Sequence, residues 1–178
     1  MSVTITPLQS DVYTAVRAFL LGVLPSGVPV SRGLPNRAAM PQPFPGFVVM
    51  QMINVNRLRW NVDTWDATGV NPTTLLSEQG IQVHIQLDFY GSTSGDWANI
   101  VSTLWRDTYG CDALAPTCQP LFADDARMAP LVDSEEQYEE RWQLDARLQY
   151  NPQVTVSQAF AASVAPVDLI NVNEAYAP

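Results

Sequence analysis

The sequence predicts an α+β fold with two layers, in which a mixed or antiparallel sheet carries two helices on one face. Helical periodicity occurs in two segments, 10–24 and 95–109, whereas strict alternation of apolar and polar residues marks strands at 81–90 and 138–150. The strands follow one another with few intervening helices, which favours antiparallel pairing. The length of 178 residues suits one domain.

An apolar stripe predicts the first helix, and Ser10 is its predicted N-cap. The stripe residues recur at helical spacing: Val12, Val16, Phe19, Leu20 and Val23. Pro25-Ser26-Gly27 ends the helix. In the second helix, Ser92 or Ser94 is the expected cap, and Gly110 is the expected residue beyond the C-terminus.

The first half of the chain also contains two strands and two long connections. Residues 28–32 and 47–60 are apolar, partly β-branched and predicted as strands. The intervening segment, 33–46, is rich in proline, and we expect an ordered loop because proline restricts φ. Residues 63–79 fit neither the helical nor the strand period and are predicted as a long connection.

The second half is predicted as a loop at 110–125, a strand at 127–132, a polar turn at 133–137 and the long strand at 138–150. Asn151-Pro152 ends that strand. We therefore expect a single domain over residues 1–151. Residues 152–178, which are poor in charge, are expected to form an extended C-terminal arm.

The charge of the chain limits its partners. Nine Arg and no Lys stand against 18 acids, which gives a net charge of -9 and argues against a protein that grips nucleic acid or a membrane surface. No apolar stretch is long enough to span a bilayer, and no signal peptide is expected at the N-terminus. Residues 96–178 hold four Arg and 13 acids, so the excess of acid lies in the second half.

No pattern supports catalysis, a metal site or a cofactor. His84 lies on the polar face of a strand without a nucleophile motif around it, and it cannot complete a usual zinc set with Cys111 and Cys118. Those cysteines are predicted to be unpaired thiols. A remote alternative is an enzyme that binds a small substrate near Asp88 and Asp96.

The polar strand faces instead predict protein contacts. Their outward positions include several neutral glutamines, which lose less free energy on desolvation than charged residues do. The alternative is a polar face exposed to water. The charge-poor arm, 152–178, also favours self-association, because monomers rarely expose large apolar patches.

The sequence resembles the neck-terminator or tail-completion proteins of tailed bacteriophages over roughly residues 8–176. The resemblance rests on diffuse core and turn patterns, namely the proline segment from Asn36 through PQPFPGFVV (41–49), DFYG (88–91), DWA…LWRD (96–107), EQY…RW (136–142) and LINV (169–172). It implies a small α+β subunit that assembles as a ring, expected to be a hexamer, without enzymatic activity.

The resemblance also implies a function. The ring would cap the head-proximal end of the tail tube and join it to a neck or head-completion protein, and its partners could include a sheath. Genomic DNA would pass through the lumen without sequence-specific binding, and an acidic lumen would let DNA slide. The implied location is the neck or tail of the virion, after assembly in the bacterial host cytoplasm. The alternatives are a stopper, an adaptor or a subunit like those of the tail tube.

Two sets of residues follow as candidates. The predicted subunit or partner interface uses strand-face glutamines, the lone histidine and four arginines that are candidates for ion pairs between proteins: Arg57, Arg59, Gln82, His84, Gln86, Arg141, Gln143, Arg147 and Gln149. The predicted acidic lumen or rim consists of Asp124, Asp125, Asp133, Glu135 and Glu136.

Overall fold

The computed structural model describes residues 3–33, 46–66, 73–132 and 138–158. Three helices lie in this part of the chain: α1 (Gln9–Val23), α2 (Ser94–Trp105) and α3 (Thr108–Leu114). Its strands, in chain order, are β1 (Val3–Thr6), β2 (Val30–Arg32), β3 (Phe47–Arg57), β4 (Val62–Asp66), β5 (Thr73–Glu78), β6 (Ile81–Tyr90), β7 (Gln119–Ala123), β8 (Arg127–Met128), β9 (Leu131–Val132), β10 (Tyr138–Glu139), β11 (Arg141–Tyr150) and β12 (Gln153–Gln158).

The larger sheet, called the first sheet here, has the order β2-β3-β6-β11-β7, with β8 also paired to β11. Only β2 and β3 pair in parallel; the other pairs are antiparallel. The odd residues of β6 and the even residues of β11 lie on one face and form the core with the helices. The α+β class, with helices packed on a mixed sheet, is confirmed.

Each long helix is held on the sheet by a hydrogen bond as well as by apolar packing. In α1, the Tyr13 hydroxyl accepts a hydrogen bond from the Met52 amide at 2.8 Å, beside a bulge in β3. In α2, Trp105 is fully buried, and its Nε1 donates to the Arg147 carbonyl of β11 at 3.1 Å. These bonds satisfy polar groups that burial would otherwise leave unpaired.

A second sheet has the order β1-β12-β5-β4 and is entirely antiparallel. It continues the first sheet, because β5 leads into β6 and β11 leads into β12 without a change of register: Tyr150 pairs with Ile81, and Gln153 pairs with Glu78. At the junction, the Gln79 amide donates to the Pro152 carbonyl at 3.0 Å. The two sheets are therefore joined by one long strand pair.

The second sheet corrects the prediction of a long connection at 63–79, since β4 and β5 lie there. Similarly, residues 153–158 form a strand rather than the beginning of an extended arm. Residues 159–178 of the predicted arm lie outside the described residues. For residues 159–178, the prediction of an arm that is separate from a domain over 1–151 therefore stays a prediction.

The helix boundaries also differ from those predicted. The helix α1 begins after Leu8, whose amide donates to the Asp11 carboxylate at 2.8 Å, so Ser10 is not its N-cap. The cap position of α2 is Thr93. Gly110 lies inside α3 rather than beyond a helix end, and that third helix was not predicted.

The remaining differences concern strand lengths. The predicted strand 47–60 ends at Arg57. The predicted strand 127–132 divides into two short strands, β8 and β9, and the predicted loop 110–125 contains most of α3 and all of β7. The predicted proline loop, apart from its first and last residues, and the turn at 133–137 lie outside the described residues.

Candidate interaction surfaces

The first sheet has a polar face on the side opposite the described helices, called the polar face here. The alternation of β6 and β11 places seven of the nine candidate interface residues on it: Gln82, His84, Gln86, Arg141, Gln143, Arg147 and Gln149. They occupy neighbouring positions, with Arg147 opposite His84 and Gln149 opposite Gln82. The structure therefore brings seven of the nine candidates to one surface, without Arg57 and Arg59, and the role of all nine in binding stays a prediction.

Asp88 is the most buried charge on the polar face, at 5% exposure. Its Oδ1 accepts hydrogen bonds from Arg141 Nη2 at 2.8 Å and Nε at 3.2 Å, and Gln86 Nε2 lies 3.0 Å from Oδ2. The Arg141 guanidinium also lies 5.7 Å from the Tyr90 ring. Because both carboxylate oxygens are already bonded within the chain, the arrangement fits a structural ion pair better than a catalytic acid.

Tyr90 stacks on Phe47 beside this ion pair, with ring centroids 4.4 Å apart. Burial raises the pKa of the Tyr90 hydroxyl above its ordinary value, and the Asp88 charge acts in the same direction while the Arg141 charge opposes it. A cavity of about 340 Å³ lies next to these residues and includes Gln51 and Gly33 in its lining. The polar face thus contains a concave, partly aromatic region.

Asp145 is the centre of a second group of charges. Its Oδ2 accepts from Arg127 Nη2 at 2.8 Å, and its Oδ1 lies 3.1 Å from His84 Nε2. His84 Nε2 and Asp145 Oδ1 are close enough for an ion pair, but their geometry does not fit a hydrogen bond. Both atoms are buried, and neither has a hydrogen-bond partner. Arg147 Nε is also buried without one, and its guanidinium lies 5.7 Å from the Phe122 ring.

The remaining candidate arginines lie where β3 leads into β4, at the junction of the two sheets. Arg59 forms an ion pair with Glu78 of β5, and the Arg57 guanidinium lies beside the Gln79 side-chain amide. With Leu58 they border a cavity of about 320 Å³, completed by Trp60, which is 86% exposed. We call residues 57–60 the junction corner. It is a second surface, separate from the polar face.

Of the predicted acidic group, Asp124 and Asp125 lie together in the turn between β7 and β8, and both are exposed. The Asp124 amide donates to the Asp145 carbonyl at 2.8 Å, which ties the turn to β11. Asp133, Glu135 and Glu136 lie outside the described residues. Whether these acids face a lumen stays a prediction.

Neither cysteine is in a disulfide: Cys118 is buried and Cys111 is partly exposed. Burial raises the pKa of the Cys118 thiol to about 12.

Within the described ranges, no group of His, Cys, Asp and Glu is arranged to hold a metal ion. In the same ranges, no helix has the length and apolar character needed to cross a membrane.

Sequence reasoning missed a third surface, on the second sheet. One side of that sheet carries two cross-strand rows in the order β4-β5-β12-β1: Trp65-Leu75-Val156-Val3 and Asp63-Ser77-Val154-Ile5. The opposite side carries Thr64-Leu76-Thr155-Thr4 as its central row, in which three of the four residues are threonines. The first side, called the apolar face here, could have been found from the alternation at 3–6 and 153–156, but each run is short.

The fold and these surfaces define an α+β protein in which several charged residues on the strands form ion pairs within the chain. The family model described as "Phage neck terminator protein" matches residues 10–175, and the chain belongs to this family. The family is thus one of structural proteins that terminate a phage neck or tail. The resemblance noted from the sequence is confirmed.

A search of curated proteins gave no match. Among solved structures, the chain is similar to the PVC sheath/tube terminator of an extracellular contractile injection system in its extended state. The identity is 12% and the TM-score is 0.46. The alignment covers 93% of this chain, which spans 66% of the length of that chain.

Proposed function

We propose that the chain forms a closed ring, with six subunits as the expected number, at the head-proximal end of a phage tail tube. The ring ends tube growth and offers its other side to a neck or head-completion protein, and a sheath is a further partner in a contractile tail. DNA passes through the lumen. Membership of the neck terminator family over residues 10–175 is the observation that carries this proposal.

The polar face supports the proposal as one protein-contact surface. Two ion pairs on this face, Arg141–Asp88 and Arg127–Asp145, are formed within the chain, so a partner meets mainly glutamines and paired ions. Arg147 is the exception, and its guanidinium lies beside the Phe122 ring. Such a face loses less free energy on desolvation than one of unpaired charges. The exposed Asp124 and Asp125 are the described acids that we assign to the lumen or rim.

The decisive experiment mixes the purified chain with polymerising tail tube protein. We expect shorter tubes, each with one ring at one end in negative-stain images, and a ring mass of six chains by native mass spectrometry. A chain that polymerises alone into long cylinders would identify a tube subunit instead. A stable monomer that leaves tube length unchanged would contradict the proposal.

The lumen assignment has its own test. The double variant Asp124→Arg/Asp125→Arg should slow DNA release from assembled particles, because added cations in the lumen would hold the phosphate backbone. Asp112→Arg, which changes one exposed acid on α3, is the matched control for each of the single variants Asp124→Arg and Asp125→Arg. Equal release rates for the single variants and the control would remove these acids from the lumen.

A further inference from the structure

The apolar face of the second sheet extends the core side of the first sheet, but it is less buried: Leu75, Val154 and Val156 are partly exposed. In β6, the odd residues Ile81 and Val83 are buried under the helix layer. The register of the β6–β11 pair continues unchanged into β5 and β12, so Leu75 and Val156 follow the same alternation. Among the described residues, the helices pack mainly on one another and on the first sheet. Val3 and Ile5 of the second sheet are 62% and 47% exposed.

We propose that a second copy of this chain covers the apolar face, which makes the second sheet the contact between neighbouring subunits. This inference rests on the proposed ring and identifies the surface that closes it. A ring requires each subunit to present two different complementary surfaces. The apolar face is one of them.

Charge favours a second copy as the occupant. Two chains that each carry -9 repel one another, so they associate best through surface with little charge. Asp63 is the one charged residue in the two rows of the apolar face, and neither row holds an arginine. The absence of cations from these rows gives a polyanion or an anionic membrane no site for its phosphates.

The size of the face fits the centre of a contact rather than a whole interface. Four strands about 4.8 Å apart and about five residues long cover on the order of 300 Å². A stable interface buries about 800 Å² per partner. The junction corner, with Leu58 and Trp60 exposed next to β4, supplies additional apolar area, and tryptophan and arginine are enriched in the centres of protein contacts.

The alternation of β1 and β12 provides a matched experiment. Ile5→Asp and Val154→Asp introduce a carboxylate on the apolar face, whereas Thr4→Asp and Thr155→Asp introduce the same charge one residue away, on the opposite side. We expect the first pair to raise the concentration needed for half-assembly at least about tenfold, because a buried unpaired charge is costly. The controls should change it by less than about twofold.

The measurements are native mass spectrometry across a concentration series, ring counts on tube ends, and the unfolding midpoint of each variant. A wild-type chain that never forms rings would overturn the proposed function and this inference together. Wild-type rings that persist equally in Ile5→Asp would overturn this inference alone.

Two further outcomes identify a different occupant. Intact rings with a lower unfolding midpoint only in the apolar-face variants would show that the chain covers the face itself, and would overturn the proposal. Intact rings that no longer bind tube ends would assign the face to the tube protein, which also overturns it.

Discussion

The two sheets share continuous strands but differ in what covers them. In the first sheet, Leu144, Ala146 and Leu148 of β11 are fully buried beneath the helix layer. In the second sheet, Val154 and Val156, which follow in β12, are partly exposed. Because the register is the same, the difference arises from the covering layer and not from strand pairing. Stability is therefore expected to reside in the first region, and assembly in the second.

Truncation of a buried core side chain should give the largest effect on stability. Trp105→Ala removes a fully buried ring together with its hydrogen bond to the Arg147 carbonyl, and we expect a loss of about 3–5 kcal/mol in the free energy of unfolding. Val156→Ala in the second sheet should cost about 1 kcal/mol or less. Urea unfolding of the monomer measures both, and similar losses would contradict the division between the two regions.

The same contrast explains which elements the sequence could predict. The residues of β6 alternate perfectly because one face lies on the core and the other is polar. In β4 and β5 the alternation is mixed: Val62 and Leu76 lie on the side opposite the apolar face. A pattern that depends on burial is weak where burial within the subunit is weak.

The third helix was missed for a different reason. Gly110 usually indicates a helix end, but here it allows a close approach: a Cβ atom at this position would lie 2.3 Å from the Leu104 carbonyl oxygen of α2. Periodicity cannot detect a contact between two chain segments. For the same reason, the sequence could not show that Arg141 and Arg59 have ion-pair partners inside the chain.

The buried ion pair of the first sheet should have the next largest effect. Asp88→Asn leaves the Arg141 guanidinium, whose side chain is 23% exposed, without its anion, and we expect a loss of about 2 kcal/mol. Asp124→Asn is the control, since that acid is exposed and its side chain has no such partner among the contacts described above. Equal unfolding midpoints for Asp88→Asn and wild type would show that the pair does not stabilise the first sheet.

Alkaline pH should destabilise the helix-covered region. Burial raises the pKa of the Cys118 thiol from 9.0 to about 12, so above pH 9 the unfolded chain loses a proton that the folded chain keeps. The contribution of the Cys118 thiol to the free energy of unfolding is fully present below pH 9. It is lost as the pH rises, by about 1–2 kcal/mol at pH 10 to 10.5. Burial also raises the pKa values of Tyr90 and Tyr150, which extends the fall to higher pH.

The variant Cys118→Val separates the thiol from the tyrosines, because it fills a similar volume without an ionisable group. Its free energy of unfolding should decrease less steeply between pH 9 and 10.5 than that of wild type, after normalisation at pH 7. Parallel pH curves for the two proteins would show that the thiol does not titrate differently on folding.

The smallest effect is expected at the junction corner, where the Arg59–Glu78 pair is 43% and 35% exposed. Solvent screens such a pair, so a double-mutant cycle with Arg59→Met and Glu78→Gln should give a coupling energy in the monomer below about 0.5 kcal/mol. The corresponding cycle for Arg141 and Asp88 should give a clearly larger value. Equal coupling energies would contradict the distinction between a buried and an exposed pair.

This difference determines which arginine can test the ring. Replacement of Arg141 weakens the subunit and the ring together, so a loss of assembly would not identify its cause. Replacement of Arg59 leaves the fold nearly intact, so a rise in the half-assembly concentration of Arg59→Met reports on contacts made by the junction corner itself. If Arg59→Met assembles like wild type while Ile5→Asp does not, the contact between copies involves the apolar face but not the charged edge of the corner.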